Sequence, residues 1–549
     1  MRRTWSPEVL GLSAQQAGPT GHAAGRVAAR VGCSRAAEHP AYGTEPLPVL
    51  AGSLEGMTEQ LDYDVLIVGA GISGIDAAYR IQTMCPDRTY AILEARESMG
   101  GTWDLFRYPG IRSDSDMYTL GFPFEPWQSD VSIADGPSIL AHIRQTADKH
   151  GISGRTRYSH KVIHANWDSG RARWTVEVET PQGPIRLTSR WIHQASGYYD
   201  YEHPYLPDFP GRKTFDGTFI HPQHWPEGLD VSGKRVVVIG SGATAVTLVP
   251  ALAEQGATVT MLQRSPSYIL ALPGKDAIAG QLRKHLPAQR AHNLIRWKNI
   301  VVNLGLYKLS RRAPRLVGGL LSRAAERATS DVAVQPGTFR PRYNPWDERL
   351  CIVPDGDLFR ALRDGSASII TDTIDSVVPE GIRTSSGTTI PADVIVSATG
   401  LTLRVGGGTT FDVDGIPVDV ASKYLYRGLM LEDVPNLTFA IGYTNASWTL
   451  RADLSAQYVC RLLNHLRATG AAYAYPSPTK QLTPNPLLGL SSGYIRRAEA
   501  TLPMSGGVDP WQVHQSYLRD RKDIGTSDVT EDMVFVPPAL TPRPASALN

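Results

Sequence analysis

Cysteine is scarce in this chain: there are four in 549 residues, at Cys33, Cys85, Cys351 and Cys460. None forms a C-x-x-C pair, which excludes a disulfide-reductase relay and a zinc knuckle and fits a reducing cytosol. No metal is therefore expected. Long apolar runs are also missing, and nothing approaches the roughly 18 consecutive residues that span a bilayer. Neither charge sign dominates, with 55 Lys and Arg against 53 Asp and Glu for a net charge of +2. That balance gives no reason to expect a nucleic-acid partner. A cytoplasmic protein of two or three domains is the expectation, since 549 residues exceed a single hydrophobic core.

Residues 1–56 are rich in Ala, Gly, Arg and Pro, poor in acids and without a sustained apolar period. A transit peptide has a similar composition, whereas a signal peptide needs an apolar stretch that is absent here. The reading favoured for 1–56 is a disordered extension, or a start read too early, with Met57 as the natural beginning.

Glycine-rich turns are what the chain does contain. Tyr63–Val68 is a β-branched run of the kind buried in a parallel sheet, followed at once by Gly69-Ala-Gly71-Ile-Ser73-Gly74. A helix is expected from Ile75 to Met84, then a strand over Tyr90–Leu93 that ends in Glu94. Strand, turn, helix, strand and terminal acid in this order form a dinucleotide site. The glycines let a pyrophosphate approach a helix N-terminus, and the acid accepts hydrogen bonds from a ribose. An acid at that position repels a 2′-phosphate, so this turn suits FAD or NAD.

A second turn lies about 170 residues further on. The strand 234–239 leads into Gly240-Ser241-Gly242-Ala243-Thr244-Ala245, and a helix carries Val246 and Thr247 on to Leu252. Ala245 replaces the third glycine, where only a small side chain is needed. The strand Thr258–Leu262 ends in Gln263-Arg264-Ser265 rather than in an acid. A guanidinium and a hydroxyl suit a 2′-phosphate, so NADPH is the expected ligand, with a solvated surface charge as the plainer reading of Arg264.

Two further strings are more specific. Glu94 is followed by Gly100-Gly101-Thr102-Trp103-Asp104-Leu105-Phe-Arg107-Tyr-Pro-Gly110-Ile-Arg112-Ser113-Asp114, and the turns are joined by Phe215-Asp-Gly217-Thr-Phe-Ile-His221-Pro-Gln-His-Trp225-Pro226. By composition the first is a glycine-rich loop with an aromatic residue and arginines. Together with Tyr343-Asn-Pro-Trp346, Arg349-Leu-Cys351 and Gly442–Leu450, these strings resemble the Baeyer–Villiger monooxygenases. That family is a branch of the class B flavoprotein monooxygenases, and the likeness is to its ethionamide-activating subgroup. It runs from about residue 57 to near 525.

The resemblance implies an enzyme that holds FAD and NADPH together. It would insert one oxygen atom of O₂ into a ketone to give an ester or lactone through a flavin C4a-peroxide, and would oxygenate thioether or thioamide sulfur as well. It places Thr102, Trp103, Asp104 and Leu105 against the flavin and Ser73 near its pyrophosphate. Arg112 and Ser113 are assigned to the second dinucleotide, and Val162 would offer its backbone to the adenine. Asp114 would face the nicotinamide and hold Arg349, the active-site arginine. His221 belongs to the F-x-G-x-x-x-H-x-x-x-W linker as a hinge residue rather than a proton donor. A class B enzyme restricted to sulfur or nitrogen, or a flavin dehydrogenase passing electrons to a quinone, is the alternative.

The expected fold is α/β, with two Rossmann-like domains. The FAD domain covers 57–200 and resumes over 391–549, a linker spans 201–230, and the NADP domain is inserted at 231–390. Trp191–Gly197 and Asp393–Gly400 are the crossing segments. A helical insertion is expected at about 275–345. Within it, residues 281–327 carry eleven Lys or Arg against one acid, Glu326, interleaved with apolar residues. Two readings fit this stretch: an amphipathic segment lying on an anionic membrane, or helices that pack inward and help line the substrate tunnel. The second is favoured, since basic helical faces are commonly just solvated. Substrate identity and oligomeric state are left open by the sequence, and no pattern is legible after Pro503.

Overall fold

The computed structural model describes residues 61–538, so the extension expected at 1–56 lies outside the described residues. The first unit is built on β1 (Tyr63–Val68), α1 (Ile72–Met84) and β2 (Tyr90–Leu93). β1 lies between β2 and the strand Ile185–Gln194 and is parallel to both. Both faces of its sheet are covered, which is why β1 and β2 read as continuous apolar runs rather than alternating ones. The helix starts at Ile72, three residues before the expected Ile75. Ser73 and Gly74 of the glycine turn already form its first turn, and the Ile75 N–H donates to Gly71 O at 3.1 Å. The nine-stranded sheet is extended by an antiparallel meander over Lys161–Asp168, Arg173–Glu179 and Ile185–Gln194, and by Leu437–Phe439 from the C-terminal part.

The second unit repeats the plan with β3 (Arg235–Ile239), α2 (Ala243–Glu254) and β4 (Thr258–Gln263). Its five-stranded sheet is parallel throughout, in the order Ala367–Thr371, β4, β3, Val394–Ser397, Thr218–Ile220. Two strands therefore belong to this sheet although they fall outside the expected 231–390 boundary. Thr218–Ile220 comes from the linker, and Val394–Ser397 from the stretch assigned to the returning FAD domain. The reason is backbone pairing: Gly217 lets the linker strand approach, since a Cβ there would stand 2.3 Å from Asp393 O.

The helical insertion leaves after Ile269–Leu272 and returns at Cys351–Pro354, two strands paired in parallel. It comprises α3 (Ala277–His285), α4 (Ala288–Arg312) and α5 (Pro314–Ala328). One face of α4 is buried through Ala291, Ile295, Arg296 and Asn299. The Arg296 guanidinium donates to the carbonyls of Tyr118, Thr119 and Gly121 at 2.8, 3.1 and 3.1 Å, and Asn299 donates to Asp116 at 2.7 Å. The insertion thus clasps the segment just after Asp114. No residue of α3–α5 lines either cavity described below, contrary to the tunnel-wall expectation, because the inward face of α4 is spent on this clasp. Near the C-terminus α6 (Thr449–Thr469) packs on α1, tied by the Arg80–Asp453 ion pair at 2.6 Å. The stretch beyond Pro503 supplies Met533–Val536, which pairs with Tyr473–Pro476.

Candidate active site

Both glycine turns open onto one cleft of about 910 Å³. The first turn stands at the C-terminal end of β1, against the carbonyl of Ala195, where the chain leaves the first sheet. Gly69 has φ +107° and a Cβ there would lie 2.7 Å from Ala195 O. The second turn repeats this arrangement: Gly240 has φ +132° and a Cβ would lie 2.4 Å from Ala398 O, where the chain leaves the second sheet. Only glycine meets both demands, of dihedral and of space. Gly74 is excluded from bearing a side chain by Gly69 O, 1.9 Å from its hypothetical Cβ. The backbone cradle at each helix N-terminus is therefore open, and it fits a pyrophosphate.

Most of the expected nucleotide residues line the cleft: Gly69, Gly71, Ser73, Glu94, Thr102, Trp103 and Val162 from the first unit, and Gly240, Ser241, Gly242, Ala243, Thr244, Thr247, Arg264 and Ser265 from the second. Glu94 is buried at the end of β2, and its carboxylate accepts the N–H groups of Ala70 at 2.7 Å and Arg96 at 2.9 Å. Burial raises its pKa, against the pull of those two N–H groups and of Arg96. Arg264 is its counterpart and its opposite, exposed and with no carboxylate within ion-pair distance among the described residues. Ser241 Oγ donates to Ser265 O at 2.8 Å, which ties the second turn to the end of β4.

Other residues expected at the cofactors sit elsewhere. Asp104 does not line the cleft: it is buried and engaged by Arg96 at 2.6 Å, Arg144 at 3.0 Å and the Ser98 hydroxyl at 2.7 Å. Leu105 packs against the core of the second unit. Gly74 lies behind its turn, and Ala245 and Val246 are buried in the same second core. Arg112 reaches the cleft but its guanidinium is already paired with Asp357. The linker residues lie outside the cleft. Trp225 packs on the second core and Phe215 on a neighbouring cluster, while His221 Nδ1 accepts from Gln223 N–H at 3.2 Å and Nε2 reaches Gly400 O at 3.3 Å. Burial lowers the His221 pKa, so the imidazole is a neutral brace between linker and crossover.

Between the two turns stands Arg349, two residues before the Cys351–Pro354 strand. It donates to Asp114 at 2.9 Å and approaches Tyr443 O at 3.4 Å, with about a third of each partner's side chain open (32% and 37%). Burial works against its charge, but Asp114 and the phenol oxygens of Tyr198, Tyr494 and Tyr199 outweigh that, and its pKa stands well above the ordinary arginine value. Burial also pushes Tyr494 up to about 12 and Tyr199 well above the usual phenol range, so these neighbours stay neutral. A second, small cavity of about 40 Å³ adjoins the arginine and is lined by Leu403, Phe439, Leu487, Ile495 and Leu502.

Four aromatic residues around this centre carry no role in the sequence reading, although Trp448 lies within the Gly442–Leu450 string. Tyr198 stacks on Trp448 at 4.8 Å with an interplanar angle of 14° and shares a hydrogen bond with Tyr199. The Trp448 indole N–H donates to Ser73 Oγ at 2.8 Å, so the C-terminal part closes over the first turn. Tyr198 and Tyr199 directly follow the crossing glycine Gly197, a signal that was available. Tyr494, on the short helix Gly493–Ala498, has none.

Residues 162–296 match the flavin-binding monooxygenase-like family model, and residues 48–146 match the Thi4 family. The FAD-containing monooxygenase EthA of Mycobacterium tuberculosis is 48% identical over 478 residues, covering 87% of this chain and 97% of that protein. The probable FAD-binding monooxygenase AlmA of Acinetobacter baylyi is 48% identical over 463 residues, covering 84% of this chain and 93% of that protein. Among solved structures, an oxidized steroid monooxygenase bound to NADP superposes with a TM-score of 0.68 at 21% identity, over 86% of this chain and 99% of that one. A cyclohexanone monooxygenase bound to ε-caprolactone gives a TM-score of 0.67 at 18% identity, over 86% and 99%. These two structures share the fold.

Proposed function

This chain belongs to the FAD-containing monooxygenases, and from that premise we propose that it uses NADPH and O₂ to insert one oxygen atom into ketones, giving esters or lactones, and also oxygenates thioether or thioamide sulfur. FAD held by the first turn would supply the hydride acceptance and oxygen activation. The remaining work falls to the chain's own groups. Glu94 would accept from a ribose and disfavour a 2′-phosphate; Arg264 and Ser265, which line the same cleft, would offer a 2′-phosphate a cation and a hydroxyl. The Ser73–Trp448 hydrogen bond and the Tyr198–Trp448 stack would hold the first cofactor's side of the cleft closed to water.

The observation that carries the reading is Arg349 beside Asp114 in the cleft between the turns. A guanidinium that stays cationic in a restricted, aromatic-walled site can stabilise negative charge as it develops on a substrate oxygen. Asp114 fixes its orientation and holds its charge. The small apolar cavity adjoining it would receive an apolar group of the substrate. The fold shared with a steroid monooxygenase and a cyclohexanone monooxygenase is consistent with ketone substrates.

The test separates flavin reduction from oxygen transfer. Arg349→Ala should leave the flavin reducible by NADPH while product formation falls by on the order of a hundredfold or more. Product should be followed by mass over linear, cyclic and aryl ketones and thioethers. Normal ester output from Arg349→Ala would contradict the proposal, and continued anaerobic NADPH turnover with a quinone would favour a dehydrogenase.

A further inference from the structure

The helical insertion has an outer face that the fold does not use. Among the described residues twelve large apolar side chains are exposed, and seven of them fall between Ile278 and Leu320. On α4, Leu294, Val301 and Leu309 follow one another at two-turn spacing and so share a face, with Val301 58% and Leu309 50% exposed. On α5, Leu316 and Leu320 are 60% and 55% exposed, while Val317 and Leu321 are buried on the other side.

Cations stand in register with these rows. Arg290, Lys308 and Arg312 fall on the Val301 face of α4, and Arg323 and Arg327 lie two turns beyond Leu316 and Leu320. None of these five has a carboxylate within ion-pair distance among the described residues. The bases of the insertion that are paired lie elsewhere: Arg283 with Asp130, Lys298 with Asp276 and Arg311 with Asp347. No helix among the described residues is long and apolar enough to cross a membrane, so a lipid-binding segment here would lie along the surface.

We infer that the outer face of α4 and α5 docks on an anionic lipid bilayer, with its apolar row in the headgroup boundary and its free cations on lipid phosphates. Charge complementarity selects this occupant. Residues 281–327 carry eleven basic side chains and one acid, Glu326, which Arg340 already engages at 2.6 Å. A second copy of the chain meeting the same face would bring like charges together. A purely polyanionic partner would leave the leucine and valine row in water. Because α3–α5 line neither cavity, docking leaves the reaction centre free.

The test uses the full-length, flavin-loaded enzyme in co-sedimentation with phosphatidylcholine vesicles, with and without one third phosphatidylglycerol, at low and high salt. The wild type should partition at least about tenfold more strongly to the anionic vesicles and lose this in high salt, since each basic side chain near such a surface contributes about fivefold. The triple variant Lys308→Glu, Arg312→Glu, Arg323→Glu should lose about a hundredfold on the same scale. The pair Val301→Ser, Leu309→Ser should lose about tenfold, and both variants should keep their flavin and NADPH oxidation rate in solution. The inference is overturned if the wild type ignores anionic vesicles, binds neutral ones equally, or binds undiminished after charge reversal. It is equally overturned if the serine pair dissolves a dimer in sedimentation velocity without changing lipid binding.

Discussion

The two glycine turns are built on one plan and end in opposite chemistry. In each, a glycine with positive φ is pressed against an alanine carbonyl at the strand end where the chain crosses to the other unit, Gly69 on Ala195 and Gly240 on Ala398. Beyond that shared geometry they part. The first unit finishes β2 with Glu94, buried and held by two backbone N–H groups. The second finishes β4 with Arg264, exposed and unpaired among the described residues. A carboxylate locked into its own backbone is a fixed part of the pocket. A free guanidinium is available to a mobile phosphate. The difference implies a resident cofactor in the first unit and an exchanging one in the second.

Substitutions at the two glycines are the strongest way to break that comparison. Gly69→Ala places a Cβ 2.7 Å from Ala195 O in a disfavoured dihedral, and purified protein should carry almost no flavin absorbance. Gly240→Ala places a Cβ 2.4 Å from Ala398 O. It should keep the flavin yet slow its reduction by NADPH by at least about tenfold, measured by anaerobic stopped flow. Equal flavin loss in both variants would mean that the turns do not divide the work.

Acid should weaken the first unit in particular. His142, His193 and His292 lie in or against it, and burial pushes each down to about 4, helped at His292 by Arg296. Unfolded histidine binds a proton below about 6.5, whereas these stay neutral in the fold until about 4. Between those values the unfolded state holds more protons, so the stability present above pH ~6.5 is lost as pH falls towards 4. The thermal midpoint, followed by flavin release, should drop across that window as the unfolding free energy falls by up to about 1.4 kcal/mol per pH unit for each histidine. The smallest expected effect is at the strand end: Arg264→Ala should raise the KM for NADPH about tenfold and leave that for NADH unchanged, as loss of one charge-assisted hydrogen bond implies.

These contrasts also mark what was legible in the residues alone. Turns, terminal acid and terminal arginine are local features, dictated by close backbone approach and by charge, and they were read at the positions where they stand. Arg349 and Asp114 are 235 residues apart, and no periodicity joins them; a family resemblance paired them, and the ion pair at 2.9 Å follows from the fold. The strands Thr218–Ile220 and Val394–Ser397 are too short to show a period, so the expected boundaries at 231 and 390 leave both outside the second unit. The resemblance implies Asp104 at the flavin along with Thr102 and Trp103; those two line the cleft, but a one-turn helix points Asp104 the other way, into Arg96 and Arg144. Tyr494 comes from a segment with no pattern and reaches Arg349 only through tertiary packing.

The central claim is that one chain holds FAD in its first turn and admits NADPH at its second. It is tested most directly by mixing the purified yellow protein with one equivalent of NADPH or NADH under argon and timing the bleaching of the flavin. The account predicts stoichiometric flavin that NADPH bleaches much faster than NADH. Colourless protein that takes up no FAD, or bleaching at the same rate by both nucleotides, would contradict it.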